Sequence, residues 1–139
     1  MGNNNKIELN FDEIVKSLYS FHFPEVDFIV GIASGGIFPA QLIAQNLKLP
    51  FYQIHINFRL PNNQLRYDRP RLLGMDKLPE KNQRLLLVDD VSVSGETLRS
   101  AKKMLEDYDV KTFVLKGQAD YVLFPEIKQC VLWPWNAIK

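Results

Sequence analysis

The sequence predicts a single α/β domain, residues 1–139, built on a mostly parallel sheet flanked by helices. Two stretches, 26–47 and 84–108, each run from a short buried strand through a loop of small residues into an amphipathic helix. Units of this kind place their strands side by side and their loops at one edge of the sheet. The chain has 139 residues, 46% of them hydrophobic, which is enough for one substantial core.

The first half of the chain contributes one helix and two strands. Asn10 and Glu13 resemble a capping pair, and apolar residues at helical spacing follow, so a helix is predicted over about 11–21. A mainly apolar run predicts a buried strand over 26–32, and a second helix follows it. Alternating polar and apolar residues over 51–58 predict a strand with one exposed face.

The second half repeats the alternation of strand and helix. Four apolar residues after Arg84 predict a buried strand that two acids close. The following helix is predicted to begin near Gly95, on the spacing of Leu98, Ala101, Leu105 and Tyr108. Shorter apolar runs predict further strands over 111–115 and 129–133, and a short aromatic segment over 119–124 lies between them. Trp133 and Trp135 are interpreted as core residues.

A pair of acids, Asp89 and Asp90, precedes a loop of small and hydroxyl-bearing residues. The backbone N–H groups of residues 93–97, the hydroxyl side chains and the N-terminus of the next helix all favour an anion. Such a loop suits a phosphate monoester. Adjacent carboxylates accept hydrogen bonds from sugar hydroxyls or help to hold a hydrated Mg²⁺.

This order of apolar strand, two acids and Ser-Gly-x-Thr loop resembles the type I phosphoribosyltransferase family. There the loop holds the 5′-phosphate of phosphoribosyl diphosphate, and the acids face its ribose hydroxyls. The resemblance implies Mg²⁺ as cofactor and makes Asp89 and Asp90 the catalytic and metal-binding acids. It assigns phosphate binding to Ser92, Val93, Ser94, Gly95, Glu96 and Thr97. A plainer interpretation is a strand that ends in solvated acids before a capped helix.

The first strand–loop–helix unit also carries a small-residue loop, formed by Ala33, Ser34, Gly35 and Gly36. In the family a loop at this place lies against the diphosphate, often through a non-proline cis peptide. Purine-specific members commonly have Arg or Lys where this chain has Ser34, so the resemblance implies diphosphate contacts through backbone donors. Taken alone, the two glycines also fit a tight strand–helix connection.

The C-terminal third resembles the 6-oxopurine branch, particularly bacterial xanthine–guanine phosphoribosyltransferases. The resemblance assigns base binding to Lys116, to Cys130 at the ring-stacking position and to Val131 at a backbone contact. Three positions depart from that branch. Cys130 is not aromatic, Asn136 replaces a metal-binding acid, and Val93 replaces an Asp next to the purine. Lys116 also fits a surface lysine with an apolar stem.

Two segments are expected to cover the site. Residues 59–80 form an irregular stretch with several arginines, and the resemblance makes them a flexible hairpin lid to which Arg66 and Arg69 belong. A solvated loop with scattered charges is the equal alternative. Residues 117–139 correspond to a small C-terminal hood over the base.

The favoured function is transfer of phosphoribose from phosphoribosyl diphosphate to a nitrogenous base, most simply a purine. A non-catalytic protein that binds phosphoribosyl diphosphate or a nucleotide is the second hypothesis, because Ser34, Val93 and Asn136 depart from the family pattern. Nucleic-acid binding through the arginines of 59–71 is the third, and a formal net charge of +1 argues against it.

The remaining expectations concern membrane partners, location and oligomeric state. No apolar run reaches membrane-spanning length, and the N-terminus lacks a signal-peptide core, so no membrane partner is expected. The single cysteine excludes an internal disulfide and fits a cytoplasmic location. Family members commonly pair, so a homodimer or higher homo-oligomer is expected.

Overall fold

The computed structural model describes residues 6–57 and 71–135. The helices are α1 (Phe11–Ser20), α2 (Ile37–Leu47) and α3 (Glu96–Met104). The strands are β1 (Ile7–Glu8), β2 (Phe28–Ala33), β3 (Phe51–Asn57), β4 (Arg71–Met75), β5 (Arg84–Ser92), β6 (Asp109–Gly117), β7 (Tyr121–Val122) and β8 (Val131–Leu132). Strands and helices alternate over most of this chain, as the sequence predicts.

The main sheet has the strand order β4-β3-β2-β5-β6-β7. All neighbouring strands in it are parallel except β3 and β4, which are antiparallel. The predicted mostly parallel sheet is therefore confirmed. The two short strands β1 and β8 pair in parallel and form a second sheet that joins the two ends of the described chain.

Helices cover both faces of the main sheet. On one face, α1 and α2 pack through Ile14, Leu18, Ala40 and Ile43 onto a cluster that includes Phe113. On the other face, the apolar side of α3 packs against alternate residues of β2, β5 and β6. The four residues 85–88 of β5 are fully buried, because they lie in the middle of the sheet with helices on both sides.

The local predictions are confirmed in most places. Asn10 caps α1: its side chain accepts from the N–H of Glu13 at 2.8 Å, and the Glu13 carboxylate accepts from the N–H of Asn10 at 3.2 Å. Trp133 and Trp135 are buried and stacked with ring centroids 5.5 Å apart. Both tryptophans are therefore core residues.

Several boundaries differ from the sequence prediction. The helix α3 ends at Met104, so Tyr108 lies outside the helix that was predicted to include it. Its hydroxyl donates to the carbonyl oxygen of Pro79 at 2.6 Å. The acid pair lies within β5, which continues to Ser92 because β6 pairs with it that far. The short strand β1 has no counterpart among the predicted elements.

Parts of the segments predicted as lid and hood belong to the main sheet. Residues 71–75 of the predicted lid form β4 at the edge of the main sheet, while 58–70 lie outside the described residues. Within the predicted hood, the strand β7 extends the main sheet, and the N–H of Phe124 still donates to the Leu115 carbonyl at 2.9 Å. Within 117–135, the chain therefore leaves the main sheet after Phe124.

Candidate active site

The candidate site lies at the carboxyl edge of the main sheet. The parallel strands β2, β5 and β6 end there at Ala33, Ser92 and Gly117. The loops that follow β2 and β5 each lead into a helix N-terminus, at α2 and α3. Both predicted loops and the acid pair consequently meet at one edge, where open α/β sheets bind ligands.

The carboxylates of Asp89 and Asp90 are half-buried at this edge. One oxygen of Asp89 accepts from the N–H of Asp90 at 2.8 Å, and one oxygen of Asp90 accepts from the N–H of Val91 at 2.7 Å. Within residues 6–57 and 71–135, the second oxygen of each carboxylate has no protein donor. Each acid is thus held by the backbone and keeps one oxygen for a ligand.

The two acids differ in their electrostatic surroundings. Burial raises the pKa of the Asp89 carboxyl well above its usual value, and the nearby charge of Asp90 raises it further. The hydrogen bond from the Asp90 N–H acts in the opposite direction. Holding both carboxylates ionised is therefore costly in the free protein, and the site favours a ligand that brings positive charge or hydrogen-bond donors.

The loop of Ala33, Ser34, Gly35 and Gly36, called the glycine loop below, lies directly against Asp89 and Asp90. A β-carbon at Gly35 would collide with the carboxylate of Asp90, and one at Gly36 would collide with the carbonyl oxygen of Val88. The peptide bond between Ala33 and Ser34 is cis, as the family resemblance implies. Glycine is required here because the loop backbone passes against β5 with no room for side chains.

The loop after β5 presents backbone donors. Gly95, at a φ of +80°, turns the chain into α3, and the N–H of Glu96 is bonded to the Ser94 hydroxyl at 3.2 Å. Among the described residues, the N–H groups of Ser94, Gly95 and Thr97 have no protein acceptor. These open amides at a helix N-terminus are the geometry that binds phosphate.

The Ser92 hydroxyl occupies a different place from the other hydroxyls of the predicted phosphate loop. It is buried within β5, and no hydrogen-bond partner exists for it in the described part of the chain. By contrast, Ser94 is exposed and Thr97 half-buried in the loop and first helical turn. The Val93 side chain, 78% exposed, projects away from the core.

The predicted base-binding residues lie on two separate elements. Lys116 is half-buried in β6, in register with Val91. Cys130 is exposed, and Val131 pairs with Ile7 in the small second sheet. The predicted lid arginines Arg66 and Arg69, and the predicted metal ligand Asn136, lie outside the described residues.

The sequence interpretation missed two residues that support the loop after β5. One guanidinium nitrogen of Arg99 donates to the carbonyl oxygen of Ser94 at 3.2 Å, and the N–H of Gln118 donates to the carbonyl of Ser92 at 2.9 Å. Arg99 lies four residues after Gly95, so helical spacing could have placed it over the loop. The Gln118 contact depends on the β5–β6 register, which has no local signal.

The carboxylates at this site fit a metal ion that binds together with a phosphorylated ligand. In the part of the chain that the structure describes, no three His, Cys, Asp or Glu side chains converge on one point. Mg²⁺ typically binds through one or two carboxylates together with substrate phosphates and water. The two free oxygens of Asp89 and Asp90 match that pattern.

An α/β sheet with open amides, an acid pair and a glycine loop at one edge is an arrangement suited to a phosphorylated ligand. The family comparison agrees with this class of ligand. Residues 2–136 match the phosphoribosyl transferase domain. The chain belongs to that family, and the type I phosphoribosyltransferase resemblance is confirmed.

Curated relatives include an adenine phosphoribosyltransferase of Aliarcobacter butzleri, 29% identical over 118 residues, covering 79% of this chain and 62% of that protein. A second, from Brucella anthropi, is 30% identical over 111 residues, covering 76% and 60%. The chain thus spans about three-fifths of the length of these relatives.

Solved structures share the fold. A purine phosphoribosyltransferase from Pyrococcus horikoshii has a TM-score of 0.75 at 22% identity, covering 94% of both chains. A hypothetical protein from Neisseria gonorrhoeae with bound ppGpp has a TM-score of 0.75 at 22% identity, covering 100% of this chain and 93% of that one. A Helicobacter pylori xanthine–guanine–hypoxanthine phosphoribosyltransferase has a TM-score of 0.74 at 14% identity, covering 94% and 91%.

Proposed function

We propose that this chain is an enzyme that transfers phosphoribose from phosphoribosyl diphosphate to a purine base. A bond forms between a ring nitrogen of the base and C1 of the ribose, while the bond from C1 to the diphosphate oxygen breaks. The base nitrogen loses its proton, and the products are a nucleoside 5′-monophosphate and diphosphate. The observation that carries the proposal is the glycine loop packed on the acid pair, beside a loop with open amides.

The phosphate loop anchors the substrate in this proposal. The N–H groups of Ser94, Gly95 and Thr97 and the Thr97 hydroxyl bind the 5′-phosphate, and the N-terminus of α3 favours its charge. The Ser94 hydroxyl already accepts from the N–H of Glu96, which leaves its proton free to donate. This anchoring fixes the ribose so that its C1 lies over the acid pair.

The acid pair acts on the ribose. The free oxygens of Asp89 and Asp90 accept hydrogen bonds from its 2- and 3-hydroxyls and stabilise the positive charge that develops on the sugar as the leaving group departs. Mg²⁺, when bound, neutralises charge on the diphosphate. The two carboxylates are its protein ligands in this proposal, with Asn136 as a further one.

The glycine loop receives the leaving group. With no cation at Ser34, the loop offers its backbone donors to the diphosphate, and Gly35 and Gly36 allow that backbone to approach closely. Arg66 and Arg69, in the segment predicted as a lid, would supply the missing positive charge and exclude water that otherwise captures the sugar carbon.

The acceptor base is proposed to lie between Lys116 and the segment that carries Cys130 and Val131. Adenine is the first base to test, because Val93 replaces the acid expected in 6-oxopurine enzymes and the curated relatives are named adenine phosphoribosyltransferases. Lys116 supports the 6-oxopurines, since a lysine donates to an exocyclic oxygen and has no acceptor for an amino group.

A base panel tests the proposal. The protein is incubated with phosphoribosyl diphosphate, Mg²⁺ and one of adenine, hypoxanthine, guanine or xanthine, and monophosphates are separated by chromatography. Turnover with at least one purine is expected, and it should be lost in the folded double variant Asp89→Asn, Asp90→Asn. Full activity in that variant would remove the acids from the mechanism.

A binding protein without turnover is the second candidate, and the structural neighbour with bound ppGpp favours it. The same loops suit a purine nucleotide that carries phosphates. Saturable binding of phosphoribosyl diphosphate or ppGpp, with no product from any base, would support this candidate in place of the enzyme.

Assembly and location complete the proposal. We propose a homodimer or larger homo-oligomer, for which the exposed Phe11 and Phe38 provide apolar surface. Light scattering on the purified protein measures the oligomeric state directly, and a monomer would contradict the proposal.

No helix in the described ranges is long and apolar enough to cross a membrane. A cytoplasmic location is proposed from the single exposed thiol of Cys130.

A further inference from the structure

A pocket outside the candidate active site lies behind the phosphate loop, between the flank of α3 and β6. Its volume is about 180 Å³. It is lined by Gly95, Leu98, Arg99, Lys102, Thr112, Gln118, Ala119 and Asp120. Gly95 belongs to the phosphate loop, and Arg99 and Gln118 support that loop through its carbonyl oxygens. The other lining residues have no part in the proposed transfer reaction.

The pocket has a net positive charge. Arg99 and Lys102 lie three residues apart on α3, on the same side of the helix. Neither cation has a carboxylate partner within the chain segments that the structure describes. Two cations therefore face the pocket with one acid, Asp120.

The single acid is fixed in place by a reciprocal pair of hydrogen bonds. One oxygen of Asp120 accepts from the N–H of Thr112 at 2.9 Å, and the Thr112 hydroxyl accepts from the N–H of Asp120 at 2.9 Å. The other carboxylate oxygen has no donor among the described residues. The pocket thus presents two cations and one oriented acceptor.

We propose that this pocket binds a small oxyanion of the phosphate class through Arg99 and Lys102. The guanidinium fork of Arg99 suits two oxygens of one phosphate, and the ammonium of Lys102 adds a point charge. Pockets for drug-sized ligands measure about 300 to 1,000 Å³. The smaller volume here suits inorganic phosphate or one phosphoryl group.

The free oxygen of Asp120 makes the site selective. Phosphate at neutral pH carries a hydroxyl that donates a hydrogen bond to a carboxylate, whereas sulfate carries none. An acceptor-only carboxylate repels sulfate, because no proton lies between the two negative oxygens. The site therefore prefers phosphate to sulfate.

The same residues connect the pocket to the phosphate loop. Arg99 donates through one nitrogen to the Ser94 carbonyl, and its remaining donors are free for the anion. A bound phosphate holds Arg99 in that position and so stabilises the loop. This consequence rests on the proposed function of the loop, but occupancy of the pocket does not.

Amide NMR with inorganic phosphate tests the proposal. The amides of Thr112 and Ala119 report on the pocket, whereas those of Gly36 and Asp90 report on the candidate active site. A saturable shift at Thr112 and Ala119 is expected. In Lys102→Gln, the affinity for phosphate that this titration gives should fall about tenfold or more, the scale of one charge-assisted hydrogen bond.

Matched controls separate this site from general charge attraction. Lys103→Gln removes the neighbouring exposed lysine, which does not line the pocket, and it should leave the shift unchanged. Sulfate at equal ionic strength should bind more weakly than phosphate, and Asp120→Asn should reduce that difference. No saturable shift, equal effects of the two lysine variants, or equal binding of sulfate would overturn the proposal. None of these outcomes depends on transfer activity.

Discussion

Gly117, the last residue of β6, lies against the backbone of Ser92, the last residue of β5. A β-carbon on Gly117 would overlap the carbonyl oxygen of Ser92 and lie 2.7 Å from its carbonyl carbon. Gly117 also has a φ of +115°, which other residues rarely adopt. This contact joins the end of β6 to the start of the loop that is proposed to bind phosphate.

Replacing Gly117 by alanine should destabilise the fold. The positive φ alone costs about 1–2 kcal/mol, and the overlap with Ser92 adds to it. Urea unfolding of Gly117→Ala measures the loss. The matched control is Gly74→Ala, since among the described residues, its chain neighbours apart, no atom lies within 4 Å of a β-carbon at that strand position. Equal stability of the two variants would contradict the close contact.

Replacing Gly35 by alanine should impair binding more than folding. The new β-carbon meets the end of the Asp90 side chain, which can rotate away at low cost to stability but then leaves its place in the site. We expect the affinity for phosphoribosyl diphosphate to fall about tenfold or more, the equivalent of one lost charge-assisted hydrogen bond. Calorimetry gives the affinity, and a melting temperature close to that of the wild type confirms folding. Unchanged affinity would show that the glycine loop takes no part in binding phosphoribosyl diphosphate.

The variant Asp89→Asn should be much less active and more stable at neutral pH. Burial and the charge of Asp90 raise the pKa of Asp89, so ionising this group costs folding free energy that a neutral amide does not. The amide oxygen of the substituted side chain can still accept from the N–H of Asp90. We expect the rate of transfer to fall about 100-fold or more while the melting temperature rises. A lower melting temperature would show that Asp89 stabilises the free protein.

The ion pair of Arg84 with Asp27 should stabilise the fold only above acidic pH. The Asp27 carboxylate accepts hydrogen bonds from the Arg84 side chain, at 3.0 and 3.3 Å, and from the Arg84 backbone N–H. These bonds hold the pKa of Asp27 below its usual value of 3.8. Since the folded pKa is the lower one, this stabilisation is complete above the usual value and is lost as pH falls through the folded pKa.

The variant Arg84→Gln tests this pH dependence. Its melting temperature should be below that of the wild type at pH 7, and the difference should shrink at pH values below 3.8. Lys81→Gln is the control, because the Lys81–Asp107 pair is a single contact at 3.3 Å between well-exposed side chains. A difference that stays constant with pH would assign the effect to packing of the Arg84 stem.

Local sequence signals were sufficient for most of the fold. The fully buried run 85–88 could only be a central strand, and Asn10 with Glu13 marked the start of α1. The spacing of Leu98 and Ala101 placed the core side of α3, although that helix is shorter than the spacing suggests. The family resemblance added the expected cis peptide before Ser34. These features depend on residues close together in the chain.

Features set by distant pairing could not be predicted in the same way. The two residues of β1 form a strand only because β8, more than 120 residues later, lies beside them. The burial of the Ser92 hydroxyl follows from the pairing of β5 with β6 as far as Gly117. The pocket between α3 and β6 appears only when helix and sheet are packed together.

Calorimetric titration of phosphoribosyl diphosphate into the protein, with and without Mg²⁺, tests the central claim most directly. Saturable binding of one ligand per chain is expected, tighter with Mg²⁺, and weakened in Thr97→Val and in Gly35→Ala. The absence of saturable binding at millimolar ligand would contradict the claim, because the open amides and the acid pair would then not form a phosphoribosyl diphosphate site.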